Sequence, residues 1–573
     1  MFKRCLMVFG LVILAVSSFL VCSKKASVDF DILITNGKLI DGTGNPWFSG
    51  DIGITGDTIA EVGHLKGKTA AKVIDVHGLI VSPGFIDLHT HCDRGLSEQA
   101  SKANLNYLIQ GTTTVVTGNC GGGTPKVAET RAKWEQQGIG TNAVHLVGFG
   151  DVRKEVIGLD PRAPSPEELD RMKAIVRQAM SEGAWGMSTG LEYIPDLYST
   201  TEEIIALTKV VAEFRGVYAS HQRNEVARVP EATRETVRIS EETGVPVDVS
   251  HFKVCGKNNW GLMKEAVAVV NEARARGISI TADLYPYDMA ATGPLISIAR
   301  NSGWSIFRLP DELEPFAGIR KRLVAPGLSD EEKTRLRDEY ISELKKALAD
   351  KLKREQIRQS VLVGLPHNPS PVAVSGWDGY AVVAAKKNTQ LVGKIFSDLA
   401  QEQKRDPFDI AAELVIDEPD LYLSCGVLSE DDIKLAMTND WLSFSSDGGA
   451  APISDPAAKP RFGHPRAFGS QVRVLRKYVR EEKVLTLENA IRKMTSLPAH
   501  FLRLKKRGLL LEGYKADIAI FDPATVQDNS TYANPSVYAT GVEYVIVNGK
   551  ISVENGKYNG SLSGKMLLLT ENK

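Results

Sequence analysis

Gly84-Phe85-Ile86-Asp87-Leu88-His89-Thr90-His91 is the stretch on which the fold turns. An apolar run ends in two histidines one residue apart. Side chains alternate along a strand with period two, so His89 and His91 share a face and can reach one ion. A lone His-x-His is a weak signal, because a single histidine more often packs in a core than binds a metal. The surrounding sequence has to decide.

Seven more short apolar or β-branched runs follow, at 113–121, 142–150, 185–193, 217–225, 246–254, 279–287 and 441–449. Amphipathic stretches separate several of them; 166–182 is one, with Glu167 and Glu168 near its start. This alternation predicts an α/β fold, a closed TIM-like (β/α)8 barrel over about 84–500. The seventh and eighth runs lie far beyond a normal βα connection from each other. Residues from about 295 to 435 therefore read as an insertion or lid, with charged helical sequence around 330–359. Hairpin-like runs split by Asn36-Gly37 and Gly56-Asp57 open the chain, and similar runs around 517–521 and 545–550 end it. Residues 29–83 and 505–560 are read as two parts of one composite β-sandwich.

The bulk numbers are those of a globular enzyme: 573 residues, 43% hydrophobic, 24% charged, net charge −1. That balance gives no footprint for nucleic acid. Lys3 and Arg4 precede an apolar run over 6–21 that Ser23-Lys24-Lys25 ends. A short basic then apolar segment reads as an export signal over 1–22, and the run is short for a membrane span. Cys22 stands where a lipidated cysteine would follow, giving either a periplasmic protein or a membrane-anchored lipoprotein. Of the six cysteines Cys5 and Cys22 lie in this segment, and the other four are scattered, without metal-finger or disulfide spacing.

Polar residues gather at the ends of the predicted strands. Beside His89 and His91 these are Cys120, followed by three glycines that read as a flexible turn, His221, His251 and Asp447. In a barrel all these ends face one mouth. Four of only ten histidines at such ends, with one aspartate, suit zinc or a similar divalent ion. On position alone Cys120 is balanced between a ligand and an inert buried thiol.

The first run resembles the first-strand signature of the amidohydrolase superfamily. The stretches GTTTVVTGNCGG (111–122), STGLEY (188–193), YASHQRNE (218–225), SHFK (250–253), SDG (446–448) and HPR (464–466) resemble one branch of it, the N-acyl-D-amino-acid deacylases, or D-aminoacylases. The resemblance spans about residues 31–549. It implies a tight zinc site of Cys120, His221 and His251, and a weaker second site of His89, His91 and Asp447 that Cys120 can bridge. It implies hydrolysis of N-acyl-D-amino acids to a carboxylate and a free D-amino acid. Zinc would activate water and polarise the carbonyl, and Asp447 would take the proton and return it to the leaving nitrogen. Direct attack by water is expected, rather than a serine acyl-enzyme. The substrate is a small molecule, an N-acyl-D-amino acid or a D-containing dipeptide. Its carboxylate is expected at Lys253 and Arg466, with Tyr193 and Tyr285 as hydroxyl donors; Tyr287 is an equal alternative to Tyr285. Arg223, two residues past His221, is a further anion contact by strand alternation. The rival readings are cyclic-amide opening on the same scaffold and a non-catalytic exported binding protein. Cys120 with STGLEY and HPR speaks against the first, and the full ligand set against the second. Oligomeric state is not readable.

Overall fold

A computed structural model describes residues 28–298, 305–310, 312–325, 327–365, 368–452, 463–532 and 534–572. The expected signal over 1–22, with Cys22, lies outside the described residues. Among those described, no helix is long and apolar enough to cross a membrane.

Eight parallel strands pair in chain order: Phe85–Asp87, Thr112–Thr117, Asn142–Gly148, Gly186–Gly190, Val217–His221, Val247–Val249, Ile280–Leu284 and Leu442–Phe444. The first and last come together at a bridge between Thr90 and Gly448. Two backbone hydrogen bonds reinforce that seam, Asp447 N to His89 O at 2.8 Å and His91 N to Gly448 O at 2.7 Å. The barrel therefore closes through the residues that carry its chemistry. Each expected strand is present but shorter, because the runs read from sequence continue into the loops at the barrel mouth.

Helices wrap the strands for local reasons. Helix Pro166–Ser181 starts at a capping box in which Ser165 and Glu168 satisfy each other's backbone N–H. Its buried residues are Met172, Val176, Ala179 and Met180, a spacing that lays one apolar stripe on the barrel. Helix Val229–Thr243 ends at Gly244, whose φ of 69° suits glycine.

The chain ends combine into one nine-stranded sheet rather than two separately bonded layers. Strand Ile80–Pro83 pairs antiparallel with Ile518–Phe521 and parallel with Phe30–Leu39, so a strand preceding the barrel joins one following it. Between the seventh and eighth barrel strands the insertion has its own apolar core, which includes Leu295, Phe307, Phe316, Leu344 and Phe408. It is rooted by a three-stranded sheet of Met289–Pro294, Tyr422–Val427 and Tyr380–Ala384.

Under the eighth strand, helix Leu487–Met494 buries Lys493 completely. Its ammonium donates to the carbonyls of Leu442, at 3.1 Å, and Asn439. Burial and the neighbouring Arg492 push its pKa down to about 7. An unfolded lysine keeps its proton to about 10.4. Between these values the unfolded chain binds more protons, so this group adds stability as pH rises. Denaturant unfolding at pH 7, 8 and 9 should show the wild type gaining on Lys493→Met by on the order of 1 kcal/mol per pH unit. A difference independent of pH would rule this out.

Candidate metal centre

Six side chains meet at the mouth. His221 is the last residue of the fifth strand, while the others stand two to four residues beyond their strands. Cys120, His251 and Asp447 have φ of 52°, 39° and 47°, a left-handed conformation that costs a non-glycine residue about 1 kcal/mol or more. The fold holds them by backbone anchors. Asp283 Oδ1 accepts from His251 N at 2.9 Å, and Ser188 Oγ accepts from Gly121 N at 3.1 Å. The glycines after Cys120 do not make the turn loose, as the sequence suggests. A Cβ on Gly121 would lie 2.2 Å from Asp196 Oδ2, and one on Gly123 2.2 Å from the Leu146 carbonyl. They permit tight contact between backbones.

Cys120 Sγ lies 3.3 Å from His89 Nε2, 3.4 Å from His251 Nε2 and 3.7 Å from His221 Nδ1. Around a tetrahedral zinc, sulfur and nitrogen ligands stand about 3.5 Å apart. His221 Nδ1 and His251 Nε2 are 2.8 Å apart, about half an ångström closer than two ligands of one ion. Asp447 Oδ1 is 3.1 Å from His91 Nε2 and 3.6 Å from His89 Nε2. The overlapping triads His89–His91–Cys120, Cys120–His221–His251 and His89–His251–Asp447 each bring their ligand atoms within 4.8 Å. The donor set of thiolate, imidazoles and carboxylate fits a divalent ion of the zinc class. Burial opposes a charged Cys120, yet His89, His251 and His221 hold its thiol well below its usual range. Burial opposes ionised Asp447 too, and Arg466 and His251 overcome it.

Three carboxylates absent from the expected site surround it. Asp283 Oδ2 faces His89 Nδ1 at 3.6 Å, while its Oδ1 also accepts from Ser445. Glu225 Oε1 lies 2.9 Å from His251 Nδ1. Glu192 Oε2 lies 3.6 Å from His221 Nε2, and Glu192 Oε1 accepts from Glu225 N at 2.9 Å. Such partners orient ligating imidazoles. Glu192 and Glu225 fall inside the STGLEY and YASHQRNE stretches, and Glu225 follows His221 by four residues, which was the available signal.

The expected substrate contacts divide. Arg466 Nη1 is ion-paired with Asp447 Oδ2 and donates to the Ala290 carbonyl, both at 2.8 Å. Lys253 is buried and ion-paired with Glu225 at 2.7 Å. Both cations lie over the ring of Tyr285, whose hydroxyl donates to Ala290 O. Tyr287 instead packs against His464 and Tyr532. Tyr193 stacks beside His221, with ring centroids 4.5 Å apart. Arg223 is held elsewhere, by Glu235 and the Leu197 carbonyl. The strand ends at His221, alternation stops there, and the guanidinium pairs with Glu235 on helix Val229–Thr243.

His464 donates from Nε2 to Met289 O and accepts from Arg466 N, both at 3.1 Å, so it braces the arginine. His145 is held by Thr117 and Thr124. Cys92 is buried, and burial pushes its thiol up to about 12. Gly186-Met187-Ser188-Thr189-Gly190 does spell Gly-x-Ser-x-Gly, which the water-attack reading passed over. Ser188 lies in a strand, not at a strand-to-helix elbow, and its hydroxyl donates to the Gly118 carbonyl. It is a brace for the Cys120 turn.

The chain and its fold are similar to those of known proteins. A model described as "Amidohydrolase family" matches residues 72–312 and 405–553. D-aminoacylase of Alcaligenes xylosoxydans xylosoxydans is 30% identical, over 96% of this chain and 99% of that protein. A crystal structure of D-aminoacylase superposes with a TM-score of 0.72 at 29% identity, covering 94% of this chain and all of that one. N-acyl-D-glutamate deacylase from Bordetella bronchiseptica, complexed with zinc and a phosphonate mimic of the tetrahedral intermediate, gives 0.70 at 27% identity, covering 94% and 99%.

Cys120→Ser removes the only sulfur from the triads. The cobalt(II)-loaded wild type should show a thiolate-to-metal absorption band, and the variant should lack it and bind zinc at least tenfold more weakly. An unchanged band would remove Cys120 from the ligand set.

Proposed function

This chain belongs to the amidohydrolase family, in its D-aminoacylase branch, as a hydrolase of amide bonds, and we propose that it is a zinc-dependent, exported N-acyl-D-amino-acid deacylase. The observation that carries the reading is Cys120 Sγ within 3.3–3.7 Å of three imidazole nitrogens, with Asp447 alongside. Cys120, His221 and His251 would hold the tight ion, and His89, His91 and Asp447 a weaker second one. What zinc supplies when bound is acidification of water and polarisation of the amide carbonyl.

The chain's own residues do the rest. Asp447 is kept ionised at neutral pH, with Arg466 paired to Oδ2 while Oδ1 faces His91 and His89 at the metal cluster. It takes a proton from water and delivers it to the amide nitrogen, which is too basic to leave unprotonated. Arg466, braced by His464 and by Ala290 O, anchors the substrate carboxylate, with Tyr285 beneath it. Tyr193 stands beside His221 as a hydroxyl donor. The basic and apolar residues of the N-terminal segment support export, and Cys22 a lipid anchor.

The test is amine release from N-acetyl-D- and N-acetyl-L-methionine by zinc-loaded protein. Release from the D form alone is expected. Failure on both, with zinc bound, would transfer the site to cyclic amides or D-peptides. Asp447→Asn should keep zinc at the Cys120 site and lose turnover by about 10²–10⁴-fold; surviving turnover would refute the proton-shuttle role.

A further inference from the structure

We propose that Glu225 is a positioning residue that selects the metal-binding tautomer of His251, and so arbitrates between His251 and Lys253. The inference rests on the metal reading of the Cys120 cluster. Glu225 Oε1, His251 Nδ1 and Lys253 Nζ form a buried triangle. Its sides are 2.9 Å from Oε1 to Nδ1, 2.7 Å from Oε1 to Nζ and 2.8 Å from Nζ to Nδ1.

A neutral imidazole carries one proton, on Nδ1 or on Nε2. His251 Nε2 is the nitrogen that faces Cys120 Sγ and His221 Nδ1. Ligation through Nε2 therefore requires the proton on Nδ1, and Nδ1–H requires an acceptor. Lys253 Nζ, an ammonium, only donates. Left alone with His251, it would donate to an Nδ1 lone pair, place the proton on Nε2 and close that nitrogen to metal. Glu225 reverses the choice because a carboxylate accepts from both donors at once. Its other oxygen faces His221 Nε2 at 3.9 Å, so one carboxylate bears on both imidazoles of the Cys120 site. Glu192 in turn fixes the Glu225 backbone.

The test is metal binding, with turnover left aside. Zinc and cobalt(II) affinities of the full chain are measured by chelator competition for wild type, Glu225→Gln, Lys253→Met and the double variant. Glu225→Gln should bind about 10–100-fold more weakly. When saturated with cobalt it should still show the thiolate band, since Cys120 is untouched. The double variant should recover about tenfold of that loss, because the competing donor is gone, a rescue that a merely structural role does not give. Equal affinity of wild type and Glu225→Gln overturns the proposal, and so does a double variant no tighter than Glu225→Gln. Should Glu225→Gln fail to fold, Lys253→Met alone decides: retained affinity supports the proposal, and a tenfold loss overturns it. A wild type that takes up neither ion overturns the metal reading together with this one. A wild type that binds, beside an unaffected Glu225→Gln, overturns this one alone.

Discussion

The rest of the structure depends on negative charge gathered at one end of the barrel. Cys120, Glu192, Glu225, Asp283 and Asp447 surround the imidazoles, and among the described residues Lys253 is paired with Glu225 and Arg466 with Asp447. Cys120 and Asp283 face imidazoles instead, in a medium where an unpaired charge is costly. The imidazoles do part of the work: His89 and His251 are what keep Cys120 ionised. A divalent ion would supply the remaining balance, which is why the donor set makes chemical sense as a metal centre. Deeper in the barrel the same pressure is relieved by protonation. Asp87 is pushed up to about 7 by burial, and Asp248 is raised by burial and by Asp283 beside it. Asp283, which faces His89, stays ionised. Of these three aspartates, the one held ionised is the one that faces an imidazole.

That arrangement is tied to barrel closure. The seam between the first and eighth strands runs through His89, Thr90, His91, Asp447 and Gly448. Asp283 adds a strap across the same end, touching the His89 ring, the His251 backbone and Ser445. Residues from three parts of the chain are thereby fixed by one carboxylate. The left-handed conformations at Cys120, His251 and Asp447 persist because the surrounding bonds determine them.

The barrel is legible in the sequence because its strands are short apolar runs with polar residues at one end only. What alternation overstates is their length. In 84–91 the strand stops at Asp87, and the histidines are aligned by pairing with Val116 and Gly448 rather than by strand geometry. The same limit explains Arg223, whose parity with His221 means nothing once the strand has ended. The six candidate ligands announce themselves by residue type and position. Glu225 and Glu192 do not, since their partners depend on how the loops turn, and local pattern carries no such information. The composite sheet is legible as hairpins at both ends, whereas the pairing of Ile80–Pro83 with Ile518–Phe521 is a contact across the whole barrel. The glycines after Cys120 mislead in the same way, because their tight neighbours, Leu146 and Asp196, come from other loops and strands.

The two cations at the site are not equivalent anchors for a free carboxylate. Lys253 Nζ donates to Glu225 Oε1 and to the His251 carbonyl at 3.2 Å, the groups that hold the site's histidine. A substrate oxygen that drew the ammonium away would loosen both bonds. Among the described residues, the guanidinium of Arg466 uses Nη1 for its ion pair with Asp447 and its hydrogen bond to Ala290 O. A guanidinium has five donors in a planar fork, so Nε and Nη2 can grip a second carboxylate while Nη1 keeps the first. On the proposed reading Arg466 can therefore bind substrate without releasing Asp447, and the acid it anchors would lie beside the carboxylate that moves the proton. Recognition and proton transfer would then meet at one side chain, with Lys253 left in its pair with Glu225.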